Sequence, residues 1–495
     1  MNVSSQQYDI ASHCMGLGEL LSVLGIDSDL DIPITGLAED SRKVEDNNLF
    51  IAYPGEQHDG RQYLQQAEAA GASAIVYESI DCELSYQPDL PCVGVPNLRQ
   101  NVGTLANVFF QKPSDRLKLI GVTGTNGKTT CAYLLSQAFQ KLGKSSAMMG
   151  TIGIGSTDNL KKQALTTGDT VSIYRNLKQF IDQGCEVVCM EVSSHGLDQG
   201  RVNALNFDVA LFTNLTQDHL DYHKTMQAYG EAKARLFRFE NLGCAILNAD
   251  DPFSSNLSKS HKAASLITYG TAKADLKAIS WQCDINGTTL VVEWKSQRAE
   301  IVSPLLGEIN ISNLLATAAT LLSLGMDLNE VCTCLGECVS PPGRMQRFKG
   351  GNTPTIVVDY SHTPDSLERA LKSLKKLCKG ETWCVFGCGG DRDKGKRPLM
   401  GQVASEWSDR IIVTNDNPRT EDPEQIAREV MVGISIQAQT ILDRKQAIEC
   451  AVAEAGVDDV VLVAGKGHEE TQTIGDEVLQ LSDRQIAAAL VGGVN

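Results

Sequence analysis

Short apolar runs recur along the chain, among them LKLIGV, CEVVCMEV, FDVALFTN, CAILNAD, TIVVDYS, WCVFG, RIIVTND and DVVLVAG. Between them stand stretches with the three-and-four spacing of amphipathic helices, such as TTCAYLLSQAFQKLG and TPDSLERALKSLKKL. That alternation predicts an α/β fold in which mainly parallel sheet is flanked by helices, because parallel neighbours need a crossover long enough to hold a helix. Pro and polar residues break the alternation at QKPSD (111–115) and SPPGR (340–344), and linkers are expected there. Three domains follow: a small N-terminal α/β domain over 1–112, a central, mainly parallel domain over 113–339 whose first strand runs into the Gly-rich turn and helix GVTGTNGKTTCAYLL of a P-loop ATPase-like fold, and a C-terminal Rossmann-like domain over 340–495 without the dinucleotide fingerprint.

Composition narrows the partners. At 495 residues and 42% apolar content the chain is too long for one core and can fill two or three. Asp and Glu outnumber Lys and Arg by 61 to 44, and a net charge of −17 argues against nucleic acid or an anionic membrane as the main partner. The 15 Cys residues show no C-x-x-C spacing and read as reduced thiols of a cytoplasmic protein. The segment MNVSSQQYDI has no apolar signal region, and no run approaches the ~18 apolar residues of a membrane span.

The strongest local signal is GVTGTNGKTTCAYLL (121–135). A strict P-loop would have Gly at Val122, but the strand, Gly-rich turn and helix occur in the order the motif requires. Backbone N–H groups of Gly124, Thr125, Asn126, Gly127 and Thr130 would hold phosphates, Lys128 would reach the β and γ oxygens, and the Thr129 hydroxyl would meet Mg²⁺. Glu191, at the end of a neighbouring strand, suits a second metal ligand, and His219 follows the next strand in NLTQDHLDYH.

The motifs GTNGKTT, TTGDT, EVSSHGLDQGR, NLTQDHLDYH, NADD, PPGRMQ, VVDYSHTPDSL, GCGGDRDKGKRPLMG, DNPR and GKGHE, in this order over nearly the whole chain, resemble the Mur ligases of peptidoglycan synthesis. The family loop is GTNGKT, which accounts for Val122. The resemblance implies an ATP-dependent amide ligase that activates a D-glutamate carboxylate as an acyl phosphate for attack by an amine. Lys128, Thr129, Glu191 and His219 match the family's phosphate and Mg²⁺ positions, and Lys233 in YGEAKARLF matches its CO₂-carbamylated lysine. Adenine and ribose contacts carry over to Asn310, Asn313, Arg344 and Asp359, with Ile309 standing where an aromatic residue or histidine is usual.

For the substrate UDP-N-acetylmuramoyl-L-alanyl-D-glutamate, Ser41, Arg42, Gln57 and His58 resemble the uridine end of the site, and Thr166, Thr167, Ser193, Gln199 and Arg201 the muramoyl-peptide end. The motif DNPR implies meso-2,6-diaminopimelate as the amine. Arg392 and Arg419 would face its distal carboxylate, Asn417 its amino-acid head, and Glu469 with the Gly465 carbonyl its distal ammonium. Asp416 is expected to orient Arg419, and Pro418 to stiffen the turn. A monomer with no nucleic-acid or membrane partner is expected. Two other readings stay open at this level: folylpolyglutamate synthase, which would leave DNPR and the N-terminal domain unexplained, and a P-loop ATPase or kinase, which would turn over without both acceptor and amine.

Overall fold

The computed structural model describes residues 14–56 and 58–492, and the chain divides into two compact units. Of the described residues, the first comprises those up to Lys128 with Gly143–Ala245 and Phe253–Leu266; the second comprises Thr129–Leu142, Ile246–Pro252 and those from Ile267 onward.

In the first unit, β1 (Gly36–Ala38), β2 (Asn48–Ala52), β3 (Ala72–Glu78) and β4 (Cys92–Val95) pair in parallel in chain order. Phe50 and Ala52 pack there with Leu64, Ala67 and Ile75. A further set of strands comprises β5 (Lys118–Thr123), β6 (Ser146–Gly150), β7 (Gly153–Ser156), β8 (Asn159–Lys161), β9 (Val187–Glu191) and β10 (Val209–Phe212). They lie in the order β8-β7-β6-β9-β5-β10. β6, β9, β5 and β10 are parallel and buried, as their unbroken apolar runs require, whereas β7 and β8 add an antiparallel edge that the apolar pattern does not announce. Glu191 pairs with Val122 and Phe212 with Thr123. The segments that follow all three strands therefore leave the same end of the sheet, where open α/β folds bind ligands.

The second unit takes the P-loop helix α1 (Lys128–Lys141) from Thr129 onward. It also holds an antiparallel meander, β11 (Leu276–Asp284), β12 (Gly287–Trp294) and β13 (Gln297–Ser303), in which Thr288, Leu290 and Val292 of β12 alternate inward. A six-stranded sheet follows, made of β14 (Gln346–Phe348), β15 (Thr355–Asp359), β16 (Thr382–Phe386), β17 (Arg410–Val413), β18 (Ala438–Thr440) and β19 (Val460–Ala464). Its order is β14-β15-β19-β16-β17-β18, parallel except for β14. Leu367, Leu371 and Leu374 cover one face and Ala447, Ile448 and Ala451 the other, the doubly wound arrangement expected of all-parallel apolar strands. A final hairpin, β20 (Thr471–Ile474) and β21 (Glu477–Gln480), stands apart from that sheet.

The SPPGR segment is packed. Gly343 has φ +66°, and a Cβ there would stand 2.1 Å from the Gly467 carbonyl carbon. No helix among the described residues is long and apolar enough to cross a membrane.

Candidate active site

The loop after β5 is bound to the segment after β10. Thr125 N donates to the Asn214 carbonyl (2.8 Å), Asn126 N to Asn214 Oδ1 (2.9 Å), and Thr213 Oγ1 to the Asn126 carbonyl (2.6 Å). Gly124 has φ +148°, and a Cβ there would overlap Thr213 Oγ1 at 1.9 Å, so only glycine fits. Gly127 also has positive φ, at +87°. Lys128 opens helix α1 and folds back on the loop, donating to the carbonyls of Gly124 (2.8 Å) and Thr125 (2.9 Å). Thr129 is buried and Thr130 partly buried in the first turn.

Lys233 is not a solvated helix lysine. It sits on the helix Met226–Ala234 with 1% exposure, its Nζ donates to the Gly124 carbonyl (2.8 Å), and it lies 4.3 Å over the Tyr229 ring. Burial, then the Lys128 charge, depress the affinity of its amine for a proton well below the usual lysine range, against a smaller pull from Asp218. A neutral amine is the form that adds CO₂, and the resulting anion would relieve the repulsion between the two lysines. The donor chemistry fits a polyanion with a divalent cation. Among the described residues no group of three or more His, Cys, Asp or Glu is disposed to hold a metal. The expected ligands are of another kind, a hydroxyl, a carboxylate, an imidazole and a modified lysine.

Glu191 is fully buried and accepts from Thr151 N (2.8 Å) and Thr151 Oγ1 (3.2 Å). His219 has φ +52° at the start of the helix Leu220–His223; its ring stands 4.9 Å from that of His195, and Asp218 lies 3.5 Å from Nε2. Burial, ahead of the opposing Asp218 charge, lowers its proton affinity and favours the neutral, metal-binding form.

The expected peptide-binding residues form one hydrogen-bonded group. Thr167 Oγ1 donates to the Glu191 carbonyl (2.9 Å) and accepts from Ser193 N (3.0 Å), Thr166 Oγ1 lies 3.0 Å from Thr151 Oγ1, and Arg201 donates to the Thr167 carbonyl (2.7 Å). Arg201 also donates to Gln199, which donates to Glu56. At the expected uridine end, Ser41 is buried and donates to Gln66 Oε1 (3.1 Å), His58 is exposed, and Arg42 is paired with Asp40 (2.8 Å) at 79% side-chain exposure. Gln57 lies outside the described residues.

In the second unit Asn310 and Asn313 are buried on the helix Ile309–Ser323. Asn313 Nδ2 donates to Asn310 Oδ1 (2.9 Å), and Asn310 Nδ2 to the Leu306 carbonyl (2.9 Å). Cys131 of α1 lies 3.6 Å from Asn313 Oδ1, tying the phosphate-loop helix to this pair. Asp359, at the end of β15, accepts from Met345 N (2.7 Å) and Ser361 N (2.9 Å). Arg344 stacks on Tyr360 at 4.6 Å, and its buried Nε has no hydrogen-bond partner among the described residues.

The expected amine-binding residues converge at the carboxyl ends of β15, β16, β17 and β19. Asp359 pairs with Ala464, which places Gly465 beside it, and a Cβ on Gly389 would lie 3.0 Å from Arg419 Nη1 and 3.8 Å from Arg392 Cγ. Arg392 itself is exposed, whereas Asn417 and Pro418 are buried. Arg419 takes φ +52° and donates to the Gly390 carbonyl (2.7 Å). Asp416 does not hold it: that buried carboxyl lies in the field of Arg444 and Lys466, and burial raises its proton affinity despite both cations.

Sequence reasoning missed the groups that hold this loop. Gln472 donates to the Asp416 carbonyl (2.7 Å), Arg419 N to the Thr473 carbonyl (3.0 Å), and Arg444, paired with Asp483 at 2.8 Å with both side chains fully buried, to the carbonyls of Asn415 (3.0 Å) and Ala464 (2.9 Å). Lys466, fully buried, donates to Asn417 and Glu469. Its place inside GKGHE, three residues before Glu469, was the one available signal.

Comparisons with known proteins agree with this arrangement. Residues 33–109 match the Mur ligase family catalytic domain, 122–321 the Mur ligase middle domain, and 343–467 the Mur ligase glutamate ligase domain. Proteins of Chromobacterium violaceum and Haemophilus influenzae named UDP-N-acetylmuramoyl-L-alanyl-D-glutamate–2,6-diaminopimelate ligase are each 43% identical to the chain. The alignments cover 92% of it and 94% and 96% of those proteins. A solved structure of a ligase of that name superposes with a TM-score of 0.73 at 36% identity, covering 96% of this chain and 99% of that one. A folylpolyglutamate synthase of Mycobacterium tuberculosis shares the fold at a TM-score of 0.61 and 17% identity, over 74% of this chain and 92% of its own. With three successive domain matches and these identities over nearly its full length, the chain belongs to the Mur ligase family.

Proposed function

We propose that the chain is an ATP-dependent amide ligase that joins meso-2,6-diaminopimelate to the D-glutamate carboxylate of UDP-N-acetylmuramoyl-L-alanyl-D-glutamate in peptidoglycan precursor synthesis. The observation that carries the amine choice is the loop Asp416–Arg419, whose Asn417 and Arg419 are fixed by backbone and buried side chains while Arg392 and Arg419 flank Gly389. A second carboxylate distinguishes diaminopimelate from lysine, and the Arg419 guanidinium beside Gly389, with the Arg392 side chain starting from the same place, suits that carboxylate.

The γ-phosphoryl group of ATP passes to a carboxylate oxygen as its bond to ADP breaks. The amine then attacks the activated carbonyl carbon, phosphate departs, and the amine loses its proton. The loop 124–127 with Lys128 and Thr130 holds the phosphates by backbone N–H groups and one ammonium. Asn310, Asn313, Arg344 and Asp359 bind adenine and ribose; the stacked Arg344 with its unpartnered Nε suits a ligand acceptor. Arg201, Thr166, Thr167 and Ser193 orient the acceptor peptide, with Ser41, Arg42, Gln57, His58 and Gln199 toward the nucleotide, so the reacting carboxylate is held in place by distant contacts. Mg²⁺, when bound by Thr129, Glu191, His219 and carbamylated Lys233, supplies charge neutralisation for the crowded oxygens.

Domain roles follow the same reading: uridine recognition over 1–112, ATP over 113–339, amine over 340–495. The enzyme acts as a cytoplasmic monomer, where its nucleotide substrates are made. A screen of amino acids for ADP release with UDP-N-acetylmuramoyl-L-alanyl-D-glutamate present tests the proposal. Turnover with meso-diaminopimelate far above L-lysine is expected. Glutamate with a folate acceptor, or ADP release without any amine, would overturn it.

A further inference from the structure

Three side chains behind the amine-binding loop form a closed set of contacts. Lys466 Nζ donates to Asn417 Oδ1 (3.2 Å) and to Glu469 Oε2 (3.0 Å), and Asn417 Nδ2 donates to the same Glu469 oxygen (2.9 Å). Asn417 Oδ1 accepts a second donor, Thr473 N, at 3.0 Å. The amide of Asn417 therefore has one orientation: its oxygen takes two donors, and its nitrogen is directed to the carboxylate. Glu469 is fixed in turn, because both donors converge on Oε2 and neither engages Oε1. Lys466 is fully buried, while the Glu469 side chain is about one-third exposed. The ammonium lies beneath the carboxylate, away from solvent.

Resting on the proposed function, we infer that Lys466 is a positioning residue for amine recognition, which orients Asn417 and Glu469 together so that Glu469 Oε1 receives the distal ammonium of the diamino acid. A buried lysine beneath a cation site is unexpected on charge grounds alone, since two ammonium groups repel. The ion pair with Glu469 removes that objection. The carboxylate is stabilised as an anion on its inner oxygen and presents its outer oxygen to the ligand. An apolar residue at 466 would leave Asn417 Oδ1 with Thr473 N as its one remaining donor and Glu469 Oε2 with Asn417 Nδ2 as its one remaining donor, and a less tightly held acceptor loses part of the preorganisation that makes a recognition hydrogen bond specific.

The ionisation of Glu469 agrees with this geometry. Burial raises its proton affinity, but the Lys466 charge and the hydrogen bonds from Asn417 and Lys466 bring it below the usual carboxylate range. The other groups in its field are His468 on its own loop, Asp416 on the DNPR loop, Tyr360 after β15, and Arg444 on the helix Arg444–Glu454. Without Lys466 the balance shifts toward the protonated acid, which binds an ammonium poorly.

The test compares the full-length enzyme with Lys466→Met and Lys466→Gln under steady-state kinetics in each of the three substrates. For Lys466→Met the KM for meso-diaminopimelate is expected to rise by about ten- to a hundred-fold, the usual worth of a charge-assisted contact. The KM values for ATP and for UDP-N-acetylmuramoyl-L-alanyl-D-glutamate should stay within about twofold, since Lys466 touches neither proposed site. The acid limb of kcat/KM for the diamino acid should move to higher pH, a change that loosened packing alone does not produce. Lys466→Gln, which keeps donors without the charge, should fall between. An unchanged KM for the diamino acid, an equal rise in all three KM values, an unmoved acid limb, or failure of both variants to fold would overturn the inference. Wild-type preference for another amine would instead overturn the proposed function.

Discussion

Replacing Glu39 by Gln should make the protein more stable at alkaline pH. Glu39 immediately precedes the Asp40-Ser41-Arg42 motif. Its Oε1 accepts from the Tyr53 hydroxyl (2.6 Å) and its Oε2 from Val171 N (2.8 Å), at the start of the helix Thr170–Asp182. Burial first, and the Asp169 charge second, push its carboxyl from the ordinary 4.5 up to about 7. At about 1.4 kcal/mol for each tenfold change in proton affinity, that amounts to about 3 kcal/mol. The sign follows from the raised value. The favourable contribution is complete below the unfolded value of 4.5 and is lost as pH rises through about 7, because the folded state must then hold an anion beside Asp169. The amide of the Glu39→Gln variant stays neutral throughout, can accept from Val171 N, and can donate to Asp169 as the protonated acid does. Thermal unfolding followed from pH 4 to 8.5 should show nearly equal midpoints at the acid end. At pH 8.5 the variant should melt about 6 °C or more above wild type, given about 2–4 °C per kcal/mol for a unit of this size. A constant offset across that range, or a variant less stable at pH 8.5, would refute the reasoning.

Arg419→Ala should raise the KM for meso-diaminopimelate by about ten- to a hundred-fold, the range of a lost charged contact, and narrow the preference over L-lysine without making lysine a good substrate. A larger effect on the nucleotide substrate would show that DNPR is only a turn. Lys233→Ala should be nearly inactive and partly rescued by short-chain carboxylic acids, and carbon-13 NMR of wild type under labelled CO₂ should show a carbamate signal that the variant lacks; full activity in the variant would dismiss the modification. Arg444→Met leaves Asp483 buried without its partner and should cost about 3–5 kcal/mol, read as a lower melting transition of the second unit, with unchanged melting as the contrary result.

The apolar runs and the residues between them determined much of this protein. The strands over 118–123, 187–191, 209–212, 355–359, 382–386, 410–413 and 460–464 coincide with runs legible in the sequence. Strands buried on both faces need continuous apolar residues whatever their neighbours are. The Gly-rich turn over 124–127 was legible for a related reason: a strand, glycines and a helix start specify its backbone within a dozen or so residues. The antiparallel meander over 276–303 was not legible, because strands with one exposed face alternate weakly and their partners are set by hairpin register. Lys233 is the sharpest case. By sequence it belongs to an ordinary helix, and only the packing of that helix against the loop after β5 buries its amine in the field of Lys128 and lowers its proton affinity. Lys466, Arg444 and Gln472 follow the same rule. Each meets the 415–417 segment through contacts spanning 29 to 56 residues of chain, so its role is set by burial and long-range pairing, which no local pattern encodes.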